Sequence, residues 1–190
     1  MKTNKGWIIG LLAGTLLTGY GCEDQPVKST QPGQEQATAL QEVKGKAHIA
    51  ADHEQRNFRT HLKGRNEVPP VETKAEGQAL FKVNKEGTSI YYKLLVSNIE
   101  NVLMAHIHVA PPDENGGVVV WLYPASPPPK LIEGPFQGVL AEGEITADDL
   151  TGALEGATLD ALIDEMEAGN TYVNVHTTQH PSGEVRGQIE

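Results

Sequence analysis

Three histidines are the residues in this chain best placed to do chemistry. His106 and His108 stand two residues apart in a stretch, 101–109, whose apolar residues alternate with others. A β-strand repeats every second residue, so Leu103, Ala105, Ile107 and Val109 share one face and Met104, His106 and His108 share the other. That spacing lets one strand offer two imidazoles to one ion. His176 ends a second alternating run, 171–177, in which Val173 and Val175 face one way and Tyr172, Asn174 and His176 the other. If the two strands are neighbours, the three rings meet. Neutral imidazole suits copper or zinc, and with Cys22, the single cysteine, expected to carry lipid, the lack of a free thiol argues against a thiolate site. Ligands of one ion must stand within about 4 Å of one another, because each lies about 2.0–2.1 Å from a shared zinc. Glu67 or His180 is a candidate fourth ligand. The competing reading is structural, with the three imidazoles joining strands and loops by hydrogen bonds. Arg186 reads as support, paired with Glu67 or Glu184. Ser182 beside His180 lies in a turn and does not make a catalytic triad.

These residues need a β framework, and the chain supplies one. Residues 58–62 are strand-like, and Pro69-Pro70 then force an extended path. Residues 77–84 and 88–96 alternate around a Lys85-Glu86-Gly87 turn and predict the clearest hairpin. The histidine strand follows as a separate element. A turn at 111–117 leads to residues 118–123, apolar on both faces and therefore expected to be central. Residues 138–145 form another strand. Thr146-Ala147-Asp148-Asp149 predicts a capped turn. Thr158 is expected to cap a helix over 159–168, with Leu159, Leu162, Ile163 and Met166 as its buried stripe and Gly169-Asn170 as its stop. Strands over 171–177 and 184–190 close the chain. Seven or more short strands with turns between them predict an all-β fold, an antiparallel sandwich or barrel of immunoglobulin-like or Cu/Zn superoxide dismutase-like kind, with one or two short accessory helices.

The N-terminal part reads as an address and a tether. Lys2 and Lys5 precede a short apolar run, residues 7–17, with the flanks of a signal peptide. Gly21 directly before Cys22 resembles the lipobox of bacterial lipoproteins, although Gly19 and Tyr20 depart from its usual pattern. We therefore expect residues 1–21 to be a lipoprotein signal and Cys22 to carry lipid, anchoring the protein in the cell envelope of a bacterium, periplasmic or surface-facing. Residues 22–55, polar and rich in Pro and Gln, read as a flexible linker holding His48 and His53. Without residues 1–21 the chain keeps 13 basic against 25 acidic groups, a formal charge of −12. That charge disfavours nucleic acid and anionic headgroups as partners, so membrane attachment falls to the lipid. A partner protein outside the cytoplasm stays unidentified.

Five short motifs then fall in one order. They are Leu62-x-Gly64-x-x-Glu67-x-Pro69-Pro70, Ala105-His106-Ile107-His108, Gly116-Gly117-Val118-Val119, residues 172–177, and Pro181-x-Gly183-Glu184-Val185-Arg186-Gly187-Gln188. Together they resemble the CHRD domain, named from chordin and found in exported bacterial proteins, over residues 56–190. The resemblance implies an extracytoplasmic β-sandwich-like domain that is a binding module with no established enzymatic activity. A more distant likeness is to the copper half of Cu/Zn superoxide dismutase. The chain lacks that enzyme's His- and Asp-rich zinc loop and its cysteine pair, so dismutase activity is not expected.

Overall fold

The computed structural model describes residues 56–190. The proposed signal, Cys22 and the linker lie outside the described residues. Seven strands run β1 Asn57–Lys63, β2 Glu76–Val83, β3 Ile90–Val109, β4 Gly117–Tyr123, β5 Ile132–Ile145, β6 Thr171–Thr177 and β7 Val185–Gln188, with one helix, α1 Leu159–Glu167. All pairings are antiparallel, in the order β2-β1-β7-β6-β3-β4, with β5 also on β3. A further pairing of β2 with β3 brings the order back on itself and closes a five-stranded barrel. The all-β expectation holds, and closure removes most of the free edges an open sheet would carry.

One long strand makes this closure possible. The hairpin strand and the histidine strand, expected as two, are one 20-residue β3. Asn98 and Asn101 sit at positive φ (53° and 52°) where its register shifts, a conformation asparagine tolerates better than most residues. The first half of β3 lies between β2 and β5, and the second between β6 and β4. The histidines therefore stand on the half that faces β6.

β4 corrects the sequence reading. It pairs with β3 alone and is an edge, not a central strand. Its two apolar faces are explained by a cover: after a short 3-10 turn over Ala147–Asp149, a second over Gly152–Leu154 lies against it, with the Thr151 N–H donating to the Val119 carbonyl at 2.9 Å. The first turn is capped as expected, the Asp149 carboxylate accepting from both the N–H and the hydroxyl of Thr146. A third 3-10 turn, Gly64–Asn66, was not expected before the prolines. α1 buries all four residues of its predicted stripe in the same core as the strands. Thr158 holds the N-cap position without a side-chain bond, and Gly169 (φ 72°) follows the helix as predicted.

The tightest point is the seam between β1 and β7. A Cβ on Gly187 would lie 2.2 Å from Thr60 Oγ1 and 2.5 Å from the His61 carbonyl oxygen, so β7 can approach β1 only as glycine. Gly117, by contrast, has nothing within 4 Å of its Cβ direction. Gly187→Ala should therefore cost about 1–3 kcal/mol or more through overpacking, while Gly117→Ala should stay within about 0.5 kcal/mol of the parent. Urea unfolding of the two variants checks this, and equal stability would place the seam elsewhere.

Candidate metal centre

β6 carries the site because it is buried on both faces. Val173 and Val175 point into the barrel core, next to Ile107 and Ala105 of β3 in register. Tyr172, Asn174 and His176 point outward, yet all three are buried as well. Their cover is the 110–117 turn, held down by a set of hydrogen bonds. Gly116 N–H donates to Tyr172 Oη (3.2 Å), and the Gly116 carbonyl accepts from His108 (2.9 Å). Arg186 donates to Asn115 Oδ1 (3.2 Å), and Asn115 in turn donates to the Val68 carbonyl (2.7 Å). A polar layer is thus sealed between sheet and turn, where every group needs a partner.

Within that layer the three histidines come together. His106 Nδ1 stands 3.2 Å from His176 Nε2, and one ligand nitrogen from each ring fits within a 4.8 Å spread. Carbonyl oxygens only accept, so two tautomers are fixed. His108 Nδ1–H donates to Gly116 O and His176 Nδ1–H donates to Pro181 O (3.0 Å). Each then presents a bare Nε2 lone pair to the centre. Without an ion, His106 bridges to His176 with an Nδ1 proton, which leaves its own Nε2 buried and without a partner, as is His108 Nε2. Trp121 meets His106 edge-on (4.2 Å between centroids) and Tyr172 stacks on His108 (4.7 Å, 8°), so the rings are held from the outside.

Burial keeps all three rings neutral. It lowers His106 to about 3, with the neighbouring His176 and His108 pushing the same way. It lowers His176 to about 4 against the opposing pull of the Pro181 carbonyl. His108 is lowered too, less freely, since Gly116 and Asn174 favour its charged form. Neutral imidazole is the ligand form.

The metric test is met in part. Two nitrogens bound to one zinc at about 2.0–2.1 Å stand at most about 4.2 Å apart. The His106–His176 pair already satisfies this. The widest ring separation is 6.3 Å, between the His108 and His176 centroids, and because all three ligand nitrogens lie within 4.8 Å of one another, closing by no more than about 0.6 Å brings the set within zinc range.

The supporting residues fall differently from the sequence reading. Arg186 is 2% exposed and forms no ion pair with Glu67 or Glu184. The ion pairs among the described residues are Arg56–Glu167, Lys63–Glu76 and Lys93–Glu142. Its guanidinium instead lies 3.5 Å over the Tyr172 ring, on the side away from His108. Glu184 is engaged by the Thr73 and Thr177 hydroxyls, each at 2.7 Å. Glu67 and His180 do not join the histidine group. Glu67 sits instead beneath Gly183 (φ 130°), whose missing Cβ leaves room for its carboxyl, with Oε1 unpartnered. His180 lines a separate groove with Thr73 and Glu184, and His61 is exposed on β1. Gly116 and Pro181 read from sequence as motif residues, but not as the carbonyl acceptors that fix two imidazoles, and Trp121 and Asn115 were given no role at the site. Only the alternation in residues 172–176 signalled them indirectly.

Comparison with known proteins gives one match: the CHRD domain family, over residues 58–189. No curated protein and no solved structure matches the chain.

Glu67 and the histidines give opposite pH dependences. The rings bind protons near 6.5 when unfolded, but only near 3 to 4 in the fold for His106 and His176, so their contribution is present above pH 6.5 and lost as pH falls toward 4. Burial raises Glu67 from 4.5 to about 7, against the attraction of Arg186, so the fold holds its proton more tightly and loses stability as pH rises from 4.5 through 7. Glu67→Gln should therefore gain on the parent at pH 8, with the gain vanishing by pH 4. Urea melts across that range read the difference, and a gap independent of pH would contradict the Glu67 assignment.

Proposed function

The chain belongs to the CHRD-domain family, and from that premise we propose that it is a non-enzymatic binding module whose ligand is a transition-metal ion, copper or zinc, held by His106, His108 and His176. The observation that carries this reading is the pair of bare Nε2 atoms on His108 and His176, each fixed by a backbone carbonyl bound to the other ring nitrogen. Metal-ligating histidines are oriented in this way. A plain hydrogen-bonding role would leave no reason for His108 Nε2 to stay buried without a partner. An ion bound by His106 Nδ1 would displace the proton that now bridges it to His176, and Asn174 Oδ1, also unpartnered, adds polarity to the same layer.

Three imidazoles with no thiol favour copper over zinc by intrinsic affinity. We place the module outside the cytoplasm, lipid-anchored at Cys22 in the cell envelope, with any protein partner engaging it there. Among the described residues no helix is long and apolar enough to cross a membrane. The acidic chain is not suited to nucleic acid.

Metal binding should appear as stabilisation. At a free ion concentration 100 times Kd the fold gains about 2.7 kcal/mol, a Tm increase of roughly 8–15 °C. His176→Gln and His106→Gln should each leave a weaker two-histidine site and shrink the shift sharply at the same ion concentration, while His61→Gln should leave it intact. Untagged protein titrated with Cu or Zn under calorimetry checks this; a parent that melts identically with and without metal would remove the reading.

A further inference from the structure

The chain has four arginines, and three of them line one cleft. Arg59 on β1, Arg65 in the first 3-10 turn and Arg186 on β7 meet around a cleft of about 610 Å3 that also holds His61, Asp113 and Glu190. In a chain of 15 basic and 25 acidic residues, the lining of this cleft sets three arginines against two carboxylate side chains, Asp113 and Glu190. None of the three arginines is among the ion pairs of the described residues. Arg59 and Arg65 are exposed and engage no side chain, while Arg186 is 2% exposed and bonded only to neutral oxygens: Asn115 Oδ1, the Pro111 carbonyl and Gln188 Oε1.

Arginines that serve solubility alone are dispersed and interleaved with acids. Here the chain's fold carries two of them to a third that is buried and makes no ion pair. A guanidinium presents a planar fork of N–H donors whose geometry matches the paired oxygens of a phosphate, sulfate or carboxylate. The cleft is bounded by rigid pieces. The backbones of Arg59 and Glu190 exchange two hydrogen bonds (2.8 and 2.9 Å), and Asn66 Nδ2 donates to the Arg186 carbonyl (3.1 Å). The backbones that carry Arg59 and Arg186 are thus fixed before any ligand arrives, which lowers the cost of binding.

We propose that this cleft is a binding site for an oxyanion, carried as a phosphate, sulfate or carboxylate group on a small ligand, with Arg59 and Arg65 as its gripping residues. The site stands on the outer side of β1 and β7 and its argument does not rest on the metal reading, since neither gripping arginine touches a histidine of the trio.

The test is thermal unfolding of the full-length chain in chelator with inorganic phosphate, sulfate or citrate, each against sodium chloride at matched ionic strength. At least one of the three should raise Tm saturably, and the arm that does so separates a phosphate or sulfate source from a carboxylate. Arg59→Gln and Arg65→Gln, both at exposed positions, should each raise the half-saturating concentration at least tenfold. Lys85→Gln, in the β2–β3 turn away from the cleft, should not. Shifts equal to those of chloride, retained in both arginine variants, or weakened equally by Lys85→Gln would each overturn the proposal.

Discussion

Burying both faces of β6 is the constraint on which the rest of this structure depends. Its inner face is ordinary apolar core, and closure of the barrel through β3 and β7 secures it. Its outer face carries Tyr172, Asn174 and His176, polar groups that water would normally solvate. Taking them out of water is unfavourable unless each finds a partner. The 110–117 turn and the backbone around Pro181 supply most of those partners, and in doing so they fix ring orientation and tautomer. Of the few atoms left over, His108 Nε2 is the one that an ion shared with His106 Nδ1 and His176 Nε2 would engage. The polar layer is thus a consequence of how the sheet closes, and its unfinished hydrogen bonding is its functional content.

Charge follows the same logic. A lid made of Asn115, Gly116 and Ala110 is anchored by Arg186 and Gln188, so one buried cation organises a turn through neutral acceptors rather than through a carboxylate. The stack of His108, Tyr172 and Arg186 crosses three strands of the sheet. It ties ring orientation at the histidine centre to the arginine that also lines the cleft on the β1 side. Substituting Tyr172 would disturb both at once, a coupling that no pair of residues shows alone.

Much of this was legible in the sequence because strand periodicity is a local property. Alternation placed His106 with His108 and His176 with Tyr172 and Asn174, and the helical spacing of Leu159, Leu162, Ile163 and Met166 gave the buried stripe. What failed was non-local. The apolar run Val118–Val119–Val120 reads as a central strand because its cover, the 3-10 turns near Thr151, has no hydrophobic period of its own. The fusion of two expected strands into β3 was hidden by Asn98 and Asn101, which look like turn residues but serve as bulges. Arg186 was assigned a carboxylate partner because charge pairing is the usual expectation. Its actual support, an aromatic face and neutral oxygens, depends on which turn folds over it, and sequence spacing carries no record of that.

The central claim is that imidazoles from β3 and β6 converge on one ion. X-ray absorption at the metal edge of the loaded protein tests it most directly, because imidazole rings give a recognisable outer-shell scattering pattern. The account predicts three histidine nitrogens near 2.0 Å for each copper or zinc, falling to two when His176 is replaced. A first shell of oxygens alone, or a histidine count unchanged by losing His176, would contradict it.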